Sequence, residues 1–456
     1  MLVQNNSKVS NFLNSASYAW LFSVAYALII GMLFYPGLVY TDSIFRWQTA
    51  MNVADKGLAV LAGTSDHHPV LPTLWMAFFY KITGEIGLFT VVQGTAFCLS
   101  FFALVRHFSP NAVGNIVATL VLLLPLNMVY AVFVSYDTLF AILMILLMML
   151  LLKKGEFRIW LIPIIVAAAI GTRLNAIVII PAVFYVLFRQ RHEFKRGHAL
   201  LTASLCIVLT AFVVALPAAL KMQRGNSWLI GTAWEYANMA TKTNDKRDIE
   251  FLANFGVSVD DLKGGICYNG IWCGNEWHAF INKVPSWRGR ELLWRYMSIA
   301  VNHPGVFIPE KLKYIDSLMG VTGDGLKEAE VGRWREPNWA VLMKTIGFQT
   351  SAKKEAFVDR YFGFLKFSGN LFLRPWLVFV LFIAVAIHLG KRDRNLLAVT
   401  TLPFMYYGSF FITAQNHELR YFFPVVFIFL AYLSGAIAAY LGRWLGKTHD
   451  HVKAAT

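Results

Sequence analysis

Apolar residues run along this chain in long unbroken blocks, and polar residues gather in the gaps between them. Blocks of about 18 or more apolar residues match the length a helix needs to cross a hydrocarbon core. They lack the strict apolar–polar alternation of an outer-membrane barrel. The pattern predicts ten spans, at 18–34, 86–105, 113–133, 136–152, 159–171, 174–188, 199–220, 371–389, 396–413 and 422–441. The expected class is an all-α polytopic membrane protein.

Two stretches interrupt the pattern. In the first, 35–85, the run "SDHHPVLPTLWMAFFY" predicts a short helix capped by Asp66 or His67, with Pro69 in its first turn. It is too short to span, and its aromatic residues suit the headgroup zone. In the second, 221–370, "ELLWRYMSIAVNHPGVFIPEKLKYIDSLM" reads as two amphipathic helices broken at His303-Pro304. The chain therefore divides into an N-terminal membrane module (1–220), a small, mainly helical domain (221–370) and C-terminal membrane helices with a tail (371–456).

Charge orients these parts. The gaps "RHFSP", "KKGEFR", "RQRHEFKRGH" and "KRDRN" and the tail "GRWLGKTHDHVK" are basic, so the positive-inside bias makes them cytoplasmic. Both long polar stretches then lie outside. Placing "HHPVLPTLWMAFFY" in the bilayer would invert the following loops and expose "RQRHEFKRGH" outside, so it is rejected as a span. Composition agrees: 15% of residues are charged and 57% hydrophobic, against about 25% charged in soluble chains. The net charge of +15 follows from the basic gaps, and no compact basic domain is present to bind nucleic acid. From Met222 to Asn370 there are 16 of the 26 acidic residues beside 19 Lys and Arg, as in a solvated region. No Asn-x-Ser/Thr acceptor falls in either outer stretch, which favours a bacterial inner membrane. Cys98 and Cys206 lie in apolar spans. Cys267 and Cys273 flank "YNGIW", and an extracytoplasmic setting favours a disulfide over a zinc pair without partner ligands.

The threading brings scattered ionisable residues to one side. Asp42 is the first acid after the first span, in "YTDSIFRWQTA"; Asp66, His67 and His68 follow. Tyr136 and Asp137 stand in "VSYDTLF", Arg173 and Asn175 in "GTRLNA", and His417, Glu418 and Arg420 in "QNHELRYFFP". Each has a plainer role open to it. Asp42 and Asp137 could cap helices, the histidines could orient a loop, and the arginines could snorkel to headgroups. Convergence is what marks a site, because ionisable groups at membrane depth are expensive. A carboxylate that takes a hydroxyl proton, beside cations that hold a phosphate, suits glycosyl transfer from a polyprenyl-phosphate sugar. No Gly-rich nucleotide loop is present.

At these residues the chain resembles the GT-C superfamily of multi-spanning glycosyltransferases. The essential acid of their first outer loop matches Asp42. Their His-Pro-Pro-Leu-like motif is similar to His68-Pro69-Val70-Leu71, their Thr-Asp-like motif to Tyr136-Asp137-Thr138, and a late Arg-Tyr to Arg420-Tyr421 with Pro424. The resemblance covers the membrane portion. It implies a GT-C-like bundle of about ten membrane helices, with interfacial helices in the first outer loop. Asp42 is expected as the base, with Asp66 and Asp137 as further catalytic acids. Arg173, Arg420 and His417 are expected on the donor phosphate, and His67, His68, Tyr136 and Glu418 in substrate positioning. Val70 replaces a proline, and an outer Asp-Glu pair is missing near Asp42, so a divalent metal (Mg or Mn) is not implied, and no other cofactor is. In size and outer domain the chain resembles bacterial transferases that decorate O-antigen. The expected function is inverting transfer of a hexose to an extracytoplasmic glycan, either O-antigen or another lipid-linked polysaccharide, with the active site facing the periplasm. Lipid A or protein are alternative acceptors. A flippase for lipid-linked sugars is the rival of another class, and a non-catalytic scaffold the second. The expected partners are the lipid-linked donor, the glycan acceptor and the bilayer; nothing in the sequence sets an oligomeric state.

Overall fold

The computed structural model describes residues 11–66, 68–153, 158–191, 197–223, 225, 229–254, 288–323, 325–326, 344, 351–368, 370–391, 393–413 and 418–455. Among these every regular element is helical, apart from isolated bridges at Leu38–Phe133 and Ser65–Gln223.

Helix α1 (Ala16–Leu33) starts where Ser15 Oγ accepts the Tyr18 amide. Two helices of the first polar stretch follow, α2 (Thr41–Lys56) and α3 (Val70–Thr83), packed on each other. Then come α4 (Gly87–Phe108), α5 (Ala112–Leu122), α6 (Pro125–Val132), α7 (Tyr136–Leu152) and α8 (Arg158–Thr172). A 3-10 segment, Leu174–Ile179, leads into α9 (Ile180–Arg189), and α10 (His198–Ala219) closes the N-terminal part. The second polar stretch holds α11 (Ile230–Thr243), α12 (Lys246–Ala253), α13 (Arg288–Asn302), α14 (Pro304–Met319) and α15 (Ala352–Phe367). The C-terminal part is α16 (Pro375–Gly390), α17 (Arg394–Gly408), the short α18 (Phe410–Thr413) and the long α19 (Leu419–Ala455).

Among the described residues five helical stretches are long and apolar enough to cross a membrane: α1, α4, α10, Arg394–Ile412 and Leu419–Leu445. A sixth results if α5 and α6 count as one span bent by 77°. Each of the ten predicted spans falls on an apolar helix, but those at 136–152, 159–171, 174–188 and 371–389 lie on shorter ones. The stretch 113–133, predicted as one span, is instead a bent pair of helices. It breaks after Leu122, because Pro125 cannot donate a backbone hydrogen bond and opens a new helix. These features suit a polytopic membrane protein.

Burial divides the bundle into a centre and a rim. The first turns of α19, from Leu419 to Tyr432, are buried throughout and pack against α4, α7, α16 and α17. Phe427 stacks on Phe97, and Phe423 on Tyr130. On the rim, α10 exposes Leu200, Ile207, Val208 and Phe212, and α1 exposes Trp20, Leu21, Ile29 and Met32. Large apolar side chains left open on apolar helices suit lipid as solvent.

Helices α11 to α14 bury a second, smaller core of Tyr236, Met239, Phe251, Leu252, Leu292 and Ile299. The break at His303-Pro304 falls between α13 and α14, as the sequence predicts. Within this unit Lys311 donates to Glu235 at 2.7 Å, and Tyr296 donates to the same carboxylate. Burial pushes the Glu235 carboxyl above its usual value, although Lys311 opposes it.

Candidate functional site

The site begins with a short piece of extended chain. Leu38 exchanges backbone hydrogen bonds with Val132 (2.9 Å) and Val134 (2.8 Å). Thr90 Oγ1 donates to the Pro36 carbonyl at 2.7 Å, and Gln93 Nε2 to the Phe133 carbonyl at 2.8 Å. Gly37 makes this approach possible. Its φ is +135°, and a Cβ there would lie 2.8 Å from Thr90 Oγ1 and 2.9 Å from a Val134 methyl. The pinned segment sets the start of α2 against the start of α7, and Ser43 Oγ donates to the Val134 carbonyl across that seam.

Three carboxylates and two guanidinium groups then meet in three ion pairs. Ser135 caps α7 by accepting the Asp137 amide at 3.1 Å, and its hydroxyl donates to Asp137 Oδ2 at 3.0 Å. The other carboxylate oxygen of Asp137 takes Arg173, which follows α8. Both residues are buried, so Arg173 does not snorkel and the cap of α7 is Ser135 rather than Asp137. In the second pair, Arg420 Nη1 donates to Asp42 Oδ2 at 2.7 Å. The same guanidinium pairs with Glu418 through Nε.

Aromatic rings fill the space between the pairs. The Arg173 guanidinium carbon lies 4.8 Å from the Tyr136 ring centre, 4.9 Å from Tyr421 and 5.2 Å from Phe410. That of Arg420 lies 4.6 Å from Tyr40 and 5.0 Å from Tyr421. Arginine favours such faces because its weakly hydrated plane is attracted by the ring quadrupole.

Asp42 is only partly buried. Burial works to raise its carboxyl, but Arg420, then His68 and Arg46, outweigh it and hold the group below the usual carboxylate range. Burial dominates at Tyr40, whose hydroxyl is pushed well up and stays protonated.

The structure thus gathers Asp42, His68, Tyr136, Asp137, Arg173, Glu418 and Arg420 from four distant parts of the chain. Asp66 has a different setting. Its carboxylate accepts the Gly225 amide at 2.5 Å, and its own amide donates to the Gln223 carbonyl at 2.9 Å. It ties the first polar stretch to the chain beyond α10, and α3 instead begins at Val70 with Pro69 before it. His67, His417, Cys267 and Cys273 lie outside the described residues. Cys98 and Cys206 are buried and free.

Two residues of the cluster escaped the sequence reading, Arg46 and Tyr40. Arg46 is 1% exposed and lies with its guanidinium carbon 4.2 Å from the Tyr136 ring centre. Its position four residues after Asp42 was the available signal, since that spacing puts both on one helix face. Among the described residues no three His, Cys, Asp or Glu side chains gather so as to hold a metal ion. Comparison with protein-family models and with curated proteins gave no match.

Proposed function

We propose that this protein is an inverting, GT-C-type glycosyltransferase that moves a hexose from a polyprenyl-phosphate sugar to an extracytoplasmic glycan. The convergence of Asp42, Asp137, Arg173, Glu418 and Arg420 into one aromatic-lined cluster carries the reading. Three carboxylates and two arginines, all buried except the partly buried Asp42, are costly to fold together and have no evident packing purpose. The resemblance at Asp42, His68-Pro69, Tyr136-Asp137 and Arg420-Tyr421 supports the same reading.

In this reading Asp42, ionised and held by Arg420, accepts the proton of the acceptor hydroxyl. The oxygen attacks the anomeric carbon as the bond to the donor phosphate breaks, and the electron pair leaves on the phosphate oxygen. One in-line displacement inverts the carbon and yields glycosylated acceptor and polyprenyl phosphate, with the proton on Asp42 passing to solvent. Arg173 and Arg420 supply the positive field that favours charge on the leaving phosphate. Asp137 holds Arg173 in place, while Tyr136 and His68 border the sugar. The periplasmic face of a bacterial inner membrane is the expected setting.

Deleting the gene and analysing surface polysaccharide tests this directly. Loss of one hexose, restored by wild-type protein but not by Asp42→Asn, is the expected result. Unchanged polysaccharide composition, with altered translocation of lipid-linked sugar in proteoliposomes, would favour the flippase instead.

A further inference from the structure

Among the described residues Arg46 is one of the largest fully buried side chains, yet none of its Nε, Nη1 and Nη2 atoms has a hydrogen-bond partner there. A buried cation without an acceptor is among the most destabilising arrangements a fold can carry. The Tyr136 face beneath it offsets part of that cost, but stacking satisfies no N–H. Its neighbours are already committed. Arg420 takes both Asp42 and Glu418, and Arg173 takes Asp137, so the three carboxylates of the cluster pair with two of its three arginines. Beside them the Tyr40 hydroxyl, also buried, has no partner either.

We propose that Arg46, with the Tyr40 hydroxyl, is the direct binding site for a phosphoryl group, which the transferase reading makes the headgroup of the isoprenoid donor. A guanidinium offers paired donors in a plane that matches two phosphoryl oxygens, and a protonated phenol adds a third donor. This moves the phosphate contact from Arg173 and Arg420, each held by a carboxylate through Nη1, to the arginine none of whose donors is hydrogen-bonded among the described residues. The location favours a lipid-borne phosphate. Trp47, next to Arg46 on α2, packs edge-on against Tyr80 of α3 at 5.5 Å, and α3 exposes Trp75, Phe78 and Ile82 along one face. An isoprenoid chain lying against that face would run along the helix packed on the one that carries Arg46. The phosphoryl bond energy plays no part here; the step is binding alone.

The test uses full-length protein in phosphatidylcholine nanodiscs, with undecaprenyl phosphate, undecaprenol and inorganic phosphate as probes. Wild type should bind undecaprenyl phosphate at least ~10-fold more tightly than undecaprenol, and Arg46→Met should erase that preference. Without ligand, Arg46→Met should melt at the wild-type temperature or above, because it removes an unsatisfied charge. Arg46→Gln, which keeps some hydrogen-bonding capacity, provides a second variant with the same expected loss. Competition by inorganic phosphate in wild type, lost in both variants, would show the same contact made by a soluble phosphoryl source. Folded variants that keep the wild-type preference overturn the assignment of Arg46 and leave the transferase reading standing. Markedly lower melting of both variants makes Arg46 a structural strut and overturns it too. A wild-type protein that binds alcohol and phosphate equally overturns the assignment and the lipid-phosphate reading together.

Discussion

Arg420 Nη1 lies 2.7 Å from Asp42 Oδ2, across a separation of 378 positions in the chain. The contact joins the start of the first polar stretch to the start of the last membrane helix. It also sets the state of the carboxylate. Burial alone would favour the neutral acid, and the adjacent guanidinium reverses that balance. Asp42 therefore stays ionised at neutral pH, as the proposed proton-accepting role requires. The same pairing makes it a weak base in the resting site.

Asp42→Asn keeps the shape of the side chain and removes the proton acceptor. Hexose transfer should fall by at least ~10²-fold. Donor affinity should stay within a few-fold of wild type, because the proposed direct phosphate donors, Arg46 and Tyr40, are left in place. Single-turnover transfer with a radiolabelled lipid-linked sugar measures the first quantity, and direct binding the second. Transfer at the wild-type rate would remove Asp42 from the chemistry.

The pH dependence follows from the sign of the Asp42 displacement. A carboxyl depressed in the folded state contributes stability above its unfolded value of about 4, and the contribution is lost only as the pH falls through the lower folded value. Wild-type transfer should thus lose no activity through Asp42 between neutral pH and the ordinary carboxylate range. Arg420→Gln removes the strongest opposing charge, burial then dominates, and the acid limb of kcat/KM should move up by about one pH unit or more. Superimposable acid limbs for the two proteins would show that Asp42 does not govern that limb.

Much of this arrangement is legible in the sequence because it rests on local patterns. Apolar blocks place the membrane helices, and Asp42, Tyr136-Asp137, Arg173 and Glu418-Leu419-Arg420 stand out as polar residues at their ends. Arg46 does not stand out, since an arginine on an amphipathic helix reads as part of its solvated face. The fold nevertheless buries it, with its guanidinium over the Tyr136 ring at the start of α7. Asp66 misleads for the opposite reason. It sits where a helix cap belongs, while its partner is the backbone of Gly225, 159 positions away. Periodicity carries no information about such pairings. The break at Pro125 was readable, but a run of apolar residues on both sides concealed it.

Topology can be checked independently of chemistry. The basic gaps predict that 189–198 is cytoplasmic and that 57–65 and Asn370 lie outside. Reporters of opposite compartment preference, fused at these three places, should read accordingly. In the same preparations Cys267 and Cys273 should resist thiol labelling until reductant is added. A cytoplasmic reading at 57–65 would put Asp42 on the wrong side for a periplasmic acceptor, and free labelling of both cysteines would rule out the bridge.

The Asp137–Arg173 pair gives the sharpest separation of stability from activity. Both side chains are buried, with 0% and 6% of their surface exposed, so neither can recover hydration if its partner is removed. Asp137→Ala should therefore destabilise the protein by about 3–5 kcal/mol, since it leaves an uncompensated guanidinium among Tyr136, Phe410 and Tyr421. Replacing both partners, as Asp137→Leu with Arg173→Met, removes the charges together and should restore most of that loss. The two changes are thus strongly non-additive, as expected for residues in direct contact. Activity should behave otherwise. If the pair supplies the field at the leaving phosphate, the double variant remains as inactive as either single one despite its recovered fold. Thermal unfolding in detergent, read beside hexose transfer, distinguishes the cases. A double variant that regains both stability and transfer would make the pair a structural tie alone, and additive losses would mean the two side chains do not act as partners.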